Sequence, residues 1–223
     1  EDFMLRIRVA RIADEIEVSS RKPVVVKDDQ GNIVFQNIIL DKGSVARQKQ
    51  GEIELGGRDT KVTCIRISPS EGAYIKVGDI RYRGEMTIRC DDENLNIINI
   101  VELEDYLKGV LPKELNMFWP SEALKAQAIV SRSFAVSQAM RRKSKGYDLT
   151  SDTFYQVYGG ADAECWRTSR VVDSTRGLVL SYRGKILPGY FHSCCGGRTE
   201  DISLVWGADI SPLKGVKCGW CRW

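Results

Sequence analysis

One stretch limits the folds open to this chain more than any other. From Ser121 to Met140 the sequence reads SEALKAQAIVSRSFAVSQAM, and Leu124, Ala128, Ser131, Ala135 and Ala139 recur at three- or four-residue steps. That is the period of one helical face. Small residues on such a face demand a neighbour that packs close to the helix axis. Gln127 and Arg132 interrupt the run. A half-buried amide or guanidinium costs free energy unless hydrogen bonds satisfy it. Glu114, just past the breaker Leu111-Pro112, is the nearest carboxylate standing off this helix, so Arg132 is expected beside Glu114. The alternative leaves Glu114 as a carboxylate favoured by the helix dipole and Arg132 in solvent.

Around that helix the chain alternates like a β protein before it and mixes elements after it. Leu5, Ile7 and Val9 alternate with Arg6 and Arg8, and similar runs follow at Val24–Val26, Ile33–Leu40 and Val62–Ile67. Turn signals such as Asp29-Gln30-Gly31-Asn32 and Gly56-Gly57 separate them. From Ile80 to Cys90 the parity places Ile80, Tyr82, Met86, Ile88 and Cys90 on one face and Arg81, Arg83, Glu85, Thr87 and Arg89 on the other. Beyond the long helix, Lys143-Ser144-Lys145-Gly146 forms a helix stop. A loop rich in hydroxyls and aromatics runs from Tyr147 to Gly160. Asp162 to Arg176 reads as a helix capped by Asp162 and closed by Gly177. Strands at 178–182 and 185–191 flank a hairpin turn at Arg183-Gly184. The class is therefore α+β: a β-rich region over residues 1–101 and a mixed region over 102–223, built on the long helix.

Composition sets outer limits. The chain has 223 residues, 43% of them hydrophobic, enough for a packed core in one large or two small domains. A formal net charge of +3 is too small to argue for a nucleic-acid partner. No run approaches the roughly eighteen apolar residues needed to span a bilayer. The chain opens at Glu1 without an initiator Met or a signal-peptide pattern, and it stops on CGWCRW. Both ends are expected to be boundaries of a processed or trimmed protein, with any targeting or anchoring segment outside them.

His192 is the single histidine, and the cysteines number seven, so at least one is free, metal-bound or paired outside the chain. His192-x-x-Cys195 followed by Cys218-x-x-Cys221 has the spacing of a tetrahedral zinc site. Disulfides among Cys194, Cys195, Cys218 and Cys221 are the alternative. Cys64, Cys90 and Cys165 read as core residues.

Ordered blocks then carry a resemblance. YLKGVLPKEL, WPSEALKAQAIVSRSFA, YQVYGG, STRGLVLSYRGK and FHSCCGGRTEDISLVWG follow one another from Tyr106 to Gly207. Together they resemble the catalytic domain of the stage II sporulation protein D family, whose members are lytic transglycosylases of peptidoglycan or close relatives. The resemblance implies cleavage between N-acetylmuramic acid and N-acetylglucosamine in glycan strands, giving 1,6-anhydro-muramyl ends. It makes Glu114, in the PKEL block, the acid and then the base, with Arg132 organising it. It places Gln127, Gln156, Tyr158, Tyr190, His192, Ser193, Gly196 and Gly197 against the glycan. It also implies an extracytoplasmic location in the cell envelope and no cofactor for catalysis; the structural zinc expected on His192, Cys195, Cys218 and Cys221, with disulfides as its alternative, rests on the spacing alone. The Arg81, Arg83 and Arg89 face then lines a groove for an anionic glycan or is a solvated outer face.

The family's amidase-enhancer relatives suggest a different function, a non-catalytic glycan-binding module that activates a cell-wall amidase. A zinc- or redox-dependent role for Cys218-x-x-Cys221 is a third. Some members carry a Cys and a His-Cys pair before QVY; here Thr150 and Phe154-Tyr155 stand there instead, so no metal is carried over to that place.

Overall fold

The alternation of the first strand is obeyed in β1 (Met4–Ile12), where Leu5 and Ile7 are buried and Arg6 and Arg8 point the other way. The computed structural model describes residues 2–91, 94–141 and 146–220. After β1 come β2 (Glu15–Ser20), β3 (Val24–Asp28), β4 (Ile33–Ile38), β5 (Val45–Lys49), β6 (Glu52–Leu55) and β7 (Arg58–Asp59). They are followed by β8 (Cys64–Pro69), β9 (Ile75–Val77), β10 (Ile80–Tyr82), β11 (Glu85–Asp91) and β12 (Asn94–Glu102). The helical half contains α1 (Leu103–Glu114), α2 (Ser121–Arg141), the short strand β13 (Leu149–Thr150) and α3 (Trp166–Ser174). Last come the hairpin β14 (Ser181–Tyr182) and β15 (Lys185–Ile186), and α4 (Ile202–Trp206).

Two sheets share the core. The larger runs β13-β1-β12-β11-β8-β3-β4 and the smaller β10-β9-β2-β5-β6-β7. Ile65, Ile67, Met86 and Ile88 of the larger sheet join Val18, Ala46, Ile53 and Ile75 of the smaller in one hydrophobic cluster, which continues through Tyr106, Leu107 and Ala128 to Val172. The α+β class expected from the sequence is the class observed.

The single strand expected from Ile80 to Cys90 is two strands. Gly84 sits at φ +72° with its Cα directly against the Ile100 carbonyl, where any side chain would collide. The chain turns there, so β10 pairs with β9 in one sheet while β11 pairs with β8 and β12 in the other. Parity is preserved, but the strand changes sheets.

The expected start of the third helix is also corrected. Residues Gly160–Ala163 form a 3₁₀ turn, and α3 begins at Trp166 with Cys165 as its N-cap. Asp162 does not cap it: its carboxylate accepts the Arg81 backbone N–H at 2.7 Å and the Arg81 Nε–H at 2.6 Å. Arg83 pairs with Glu164 alongside, at 2.6 and 2.8 Å. Arg81 and Arg83 are therefore a clamp between the β-rich half and the helical half, and not a free basic face. Burial pushes the Asp162 carboxyl up, but the bonds from Arg81 outweigh it and hold it below the ordinary carboxylate range.

With the folded value lowered, the unfolded chain binds more protons in the interval between the two values. The clamp's contribution is therefore full above an ordinary Asp value of about 3.9 and is lost as pH falls through the lower folded value. Asp162→Asn is expected to lower the urea midpoint at neutral pH, with the difference shrinking toward about pH 3. A difference that stays constant across that range would remove the clamp from the stability balance.

The hairpin strands are shorter than the alternation suggests because α2 takes up their hydrogen bonds and space. The Leu180 N–H donates to Ser133 Oγ at 2.8 Å. Gly189 lies directly against the Val130 carbonyl, an approach open only to a residue without Cβ. The helix stop at Lys143-Ser144-Lys145 lies outside the described residues.

Helix α1 runs on through Pro112 to Glu114, three residues past the expected break at Leu111. Pro112 has no N–H to give the helix. Nearby, the Gly109 carbonyl accepts a bond from the Gly159 N–H at 3.1 Å, tying α1 to the loop that follows β13. Gly109 permits this contact. A Cβ there would stand 2.6 Å from Tyr158 Cε2 and 2.7 Å from the Gly160 carbonyl oxygen. Gly109→Ala is expected to cost about 1–3 kcal/mol by overpacking, despite the better helix propensity of alanine. An unchanged denaturation midpoint would show that the loop yields freely.

Candidate functional site

Glu114 is the last residue of α1 and is half-buried. Its Oε1 accepts the backbone N–H of Val157 at 2.8 Å. That N–H is presented by a loop whose flanking side chains are locked inside. Gln156 is fully buried: its Oε1 accepts from Tyr106 Oη–H at 3.2 Å and its Nε2 donates to the Ser131 carbonyl at 3.4 Å. Tyr158 is buried as well and donates to Asn99 Oδ1 at 3.0 Å. The Asn99 amide in turn donates to the carbonyls of Arg83 and Glu85.

Three tyrosines stack through this region. The Tyr158 ring lies 5.7 Å from Tyr82 and 4.9 Å from Tyr106, both tilted. Burial pushes the Tyr106 phenol well up, and the charge of Glu114 adds to the effect. Gln156 and Tyr158 were expected to touch a glycan. The structure assigns them another task, because both are buried with internal partners: they hold the loop that orients Glu114.

The residues free to meet a large ligand near Glu114 are aromatic ones that residue patterning had not singled out. Phe118 and Trp119 follow Glu114 in the chain, Phe154 precedes Val157, and all are exposed. Short turns fix their backbones: the Phe118 N–H donates to Asn116 Oδ1 at 2.9 Å and the Phe154 N–H to Asp152 Oδ1 at 3.0 Å. Large apolar rings left in solvent, here just after Glu114 and just before its partner Val157 in the chain, are a feature of binding surfaces. The available signal was Asn116 and Asp152 two residues before an aromatic.

Arg132 requires a correction. It is fully buried and its partner is Glu104, at the start of α1, not Glu114 at the end. Nε reaches Glu104 Oε1 at 2.9 Å and Nη2 reaches Oε2 at 2.7 Å, a fork-to-fork pair. The remaining donors go to the carbonyls of Leu178 at 3.1 Å and Val172 at 3.3 Å and to Thr175 Oγ1 at 3.4 Å. Every branch of the guanidinium is engaged, so Arg132 ties α1, α2 and α3 together and is not paired with Glu114.

The other expected contacts are dispersed. Gln127 is half-buried and donates to Ser131 Oγ at 3.2 Å within its own helix. Tyr190 stacks on Trp206 at 4.3 Å and meets Phe134 edge-on at 5.9 Å, so it anchors α4 to α2. His192 and Ser193 are exposed, and Gly196 and Gly197 turn the chain at φ +60° and +99°. That turn brings Cys195 and Cys218 into neighbouring backbone segments, since the Cys218 N–H donates to the Gly197 carbonyl at 2.9 Å and Arg198 bridges Lys217. Cys221 lies outside the described residues. Among the described residues no three His, Cys, Asp or Glu side chains converge as a metal site.

Comparison with known proteins adds the family. Residues 91–182 match the model of the family described as SpoIID, stage II sporulation protein. That span holds Glu114, Arg132, Gln156 and Tyr158 and ends before His192. An uncharacterized protein of Brachyspira hyodysenteriae (strain ATCC 49526 / WA1) is 37% identical over 144 residues, covering 64% of this chain and 39% of that protein. The amidase enhancer of Bacillus subtilis (strain 168) is 34% identical over 122 residues, 51% of this chain and 16% of the relative. Stage II sporulation protein D of the same strain is 34% identical over 143 residues, 57% of this chain and 41% of the relative. The chain thus spans less than half the length of each of these relatives. Residues 91–182 thus match the SpoIID family of stage II sporulation proteins.

Proposed function

We propose that the protein is a lytic transglycosylase that cleaves peptidoglycan glycan strands between N-acetylmuramic acid and N-acetylglucosamine. The observation that carries this reading is Glu114: a half-buried carboxylate held through Oε1 by the Val157 N–H, with exposed Phe118, Trp119 and Phe154 on the loops beside it. Oε2 is the oxygen left to carry a proton. Glycosidic cleavage needs that proton on the leaving oxygen, and hydrolases add a second carboxylate as base or nucleophile.

One carboxylate suffices when the muramic acid supplies its own nucleophile. Glu114 gives its proton to the glycosidic oxygen, and the C1–O bond breaks with its electron pair leaving on the N-acetylglucosamine. The 6-hydroxyl of the muramic acid then attacks C1, and Glu114 takes the hydroxyl proton back. The products are a free N-acetylglucosamine 4-hydroxyl and a 1,6-anhydro-muramyl end, with no water consumed. Aromatic faces at Phe118, Trp119 and Phe154 suit the C–H faces of the sugar rings.

The reading sets the protein to work outside the cytoplasm, on the cell wall. No helix among the described residues is long and apolar enough to cross a bilayer. The late cluster is given a structural role, with His192, Cys195, Cys218 and Cys221 as zinc ligands or Cys194, Cys195, Cys218 and Cys221 in disulfides, which metal analysis and a thiol count on native protein separate. No step of the reaction runs through a metal.

A second reading, a non-catalytic glycan-binding activator of a cell-wall amidase, draws on the relative named amidase enhancer. Incubating the purified chain with naked and peptide-bearing glycan strands and identifying the new ends by mass decides between them. Anhydro-muramyl ends are the expected result. Binding to strands with no new ends would move the protein to the activator reading.

A further inference from the structure

The outer face of the larger sheet, turned away from the smaller one, carries a second site. A cavity of about 690 Å³ opens there, lined by Arg8, Arg11, Arg89, Asn96, Asp91 and Tyr147 among others. None of the residues assigned above to the Glu114 site lines it.

Strand register explains how its charges gather. Arg11 of β1 pairs with Asn96 of β12, Asn96 with Arg89 of β11, and Arg89 with Cys64 of β8, so these side chains form one row across four strands. Cys64 is buried, as expected for it, and at the end of this row it too lines the cavity. Simple alternation would put Arg8 and Arg11 on opposite faces, because they stand three positions apart. A bulge between Arg8 and Ala10 shifts the register by one and brings Arg11 onto the face of Arg8.

The neighbouring row contains Thr150, Arg8, Ile98 and Thr87. Thr87 and Thr150 hold the buried side-chain oxygens that have no hydrogen-bond partner among the described residues. Both orphaned hydroxyls therefore fall in the row of a cavity-lining arginine.

The charges are as telling as the shape. Among the described residues Arg8, Arg11 and Arg89 form no ion pair, whereas Arg6, Arg81, Arg83 and Arg132 all do. Arg8 stands over the Tyr147 ring, 4.4 Å from its centroid. Unpaired guanidiniums converging on a cavity select carboxylate or phosphate oxygens, often two at a time. Asp29 and Asp91 share the lining. They repel a bare polyanion and require ligand groups that donate hydrogen bonds. The volume suits a ligand of one or two sugar rings and greatly exceeds that of a single ion.

We propose that this face binds an acidic amino sugar, its carboxylate on Arg8, Arg11 and Arg89 and its hydroxyl or amide donors on Asp29 and Asp91. The choice of a carboxylated amino sugar rests on the peptidoglycan reading. The site would hold a glycan strand at a second point, away from Glu114.

The test is equilibrium binding of N-acetylmuramic acid to the whole chain by calorimetry or NMR titration. N-acetylglucosamine, which lacks the carboxylate, and inorganic phosphate serve as comparison ligands. N-acetylmuramic acid is expected to bind about tenfold or more tightly than either, and Arg11→Gln and Arg89→Gln are each expected to weaken it by a similar factor. Both arginines are exposed, so the variants should keep the wild-type unfolding midpoint. Glu114→Gln should leave this binding unchanged, which separates the site from the catalytic reading. Equal binding of the acidic and neutral sugars, phosphate binding as tightly as the acidic sugar, or indifference to both arginine variants would each overturn the assignment, whether or not the protein cleaves glycan.

Discussion

Arg132→Met is expected to destabilise the protein by about 3–5 kcal/mol, because it leaves a buried carboxylate without its counter-charge. Glu104 is only 4% exposed and Arg132 is 0% exposed. Among the described residues, the one further donor to the Glu104 carboxylate besides the guanidinium is the Gly177 N–H, at 3.4 Å. Removing Arg132 also takes its donor from the Leu178 carbonyl, whereas the Val172 carbonyl keeps the Thr175 N–H and hydroxyl. The loss is therefore a penalty on stranded groups more than the net worth of the pair. Two ions taken out of water together gain little over an apolar pair of similar volume. The double variant Glu104→Met, Arg132→Met should accordingly recover much of what Arg132→Met loses. Arg132→Lys keeps the charge but not the fork, and should fall between wild type and Arg132→Met. Urea denaturation of the four proteins forms a double-mutant cycle. A loss below about 1 kcal/mol for Arg132→Met, or a double variant less stable than both single variants, would show that the pair does not hold α1 and α2 together.

Glu114→Gln should abolish the production of anhydro-muramyl ends, with a loss of at least about 10²–10⁴-fold, the usual contribution of a positioned acid–base group. The substitution preserves size and keeps an oxygen for the Val157 N–H, so the loop and the aromatic residues on it should stay in place. Glycan binding is therefore expected to persist while cleavage stops. Stability should move by no more than about 0.5 kcal/mol, since the residue is only half-buried. Retention of full cleavage activity would end the role proposed for Glu114. Loss of binding together with loss of cleavage would mean that the carboxylate holds the sugar and does not merely protonate it.

Local chemistry made some of this protein legible. The face of α2 was readable because Leu124, Ala128, Ser131 and Ala135 repeat at the helical period, and all are buried as that period requires. The β1 face was readable for the same reason at period two, up to the bulge. The order of blocks from Tyr106 onward pointed to the family whose model matches residues 91–182, and within them Glu114 stood out as a carboxylate next to a helix end.

The partners of these residues could not be read, because a pattern along the chain states which face a side chain occupies and not what lies opposite. Glu114 was the plausible mate for Arg132 by sequence proximity. Yet Glu104 and Glu114 stand ten residues apart on one helix, about 15 Å along its axis. Only the packing of α2 across the first turns of α1, with the end of α3 closing over it, decides that Glu104 is the one in reach. The same holds for Gln156 and Tyr158, whose polar groups suit sugar as well as they suit Tyr106 and Asn99; burial under α1 settles it. Arg81, Arg83 and Arg89 share one parity in the sequence. The turn at Gly84 sends the first two toward Asp162 and Glu164 and leaves Arg89 on the outer sheet face, since carboxylates about eighty residues away in the chain, beyond the reach of any local period, arrive beside two of them and not the third.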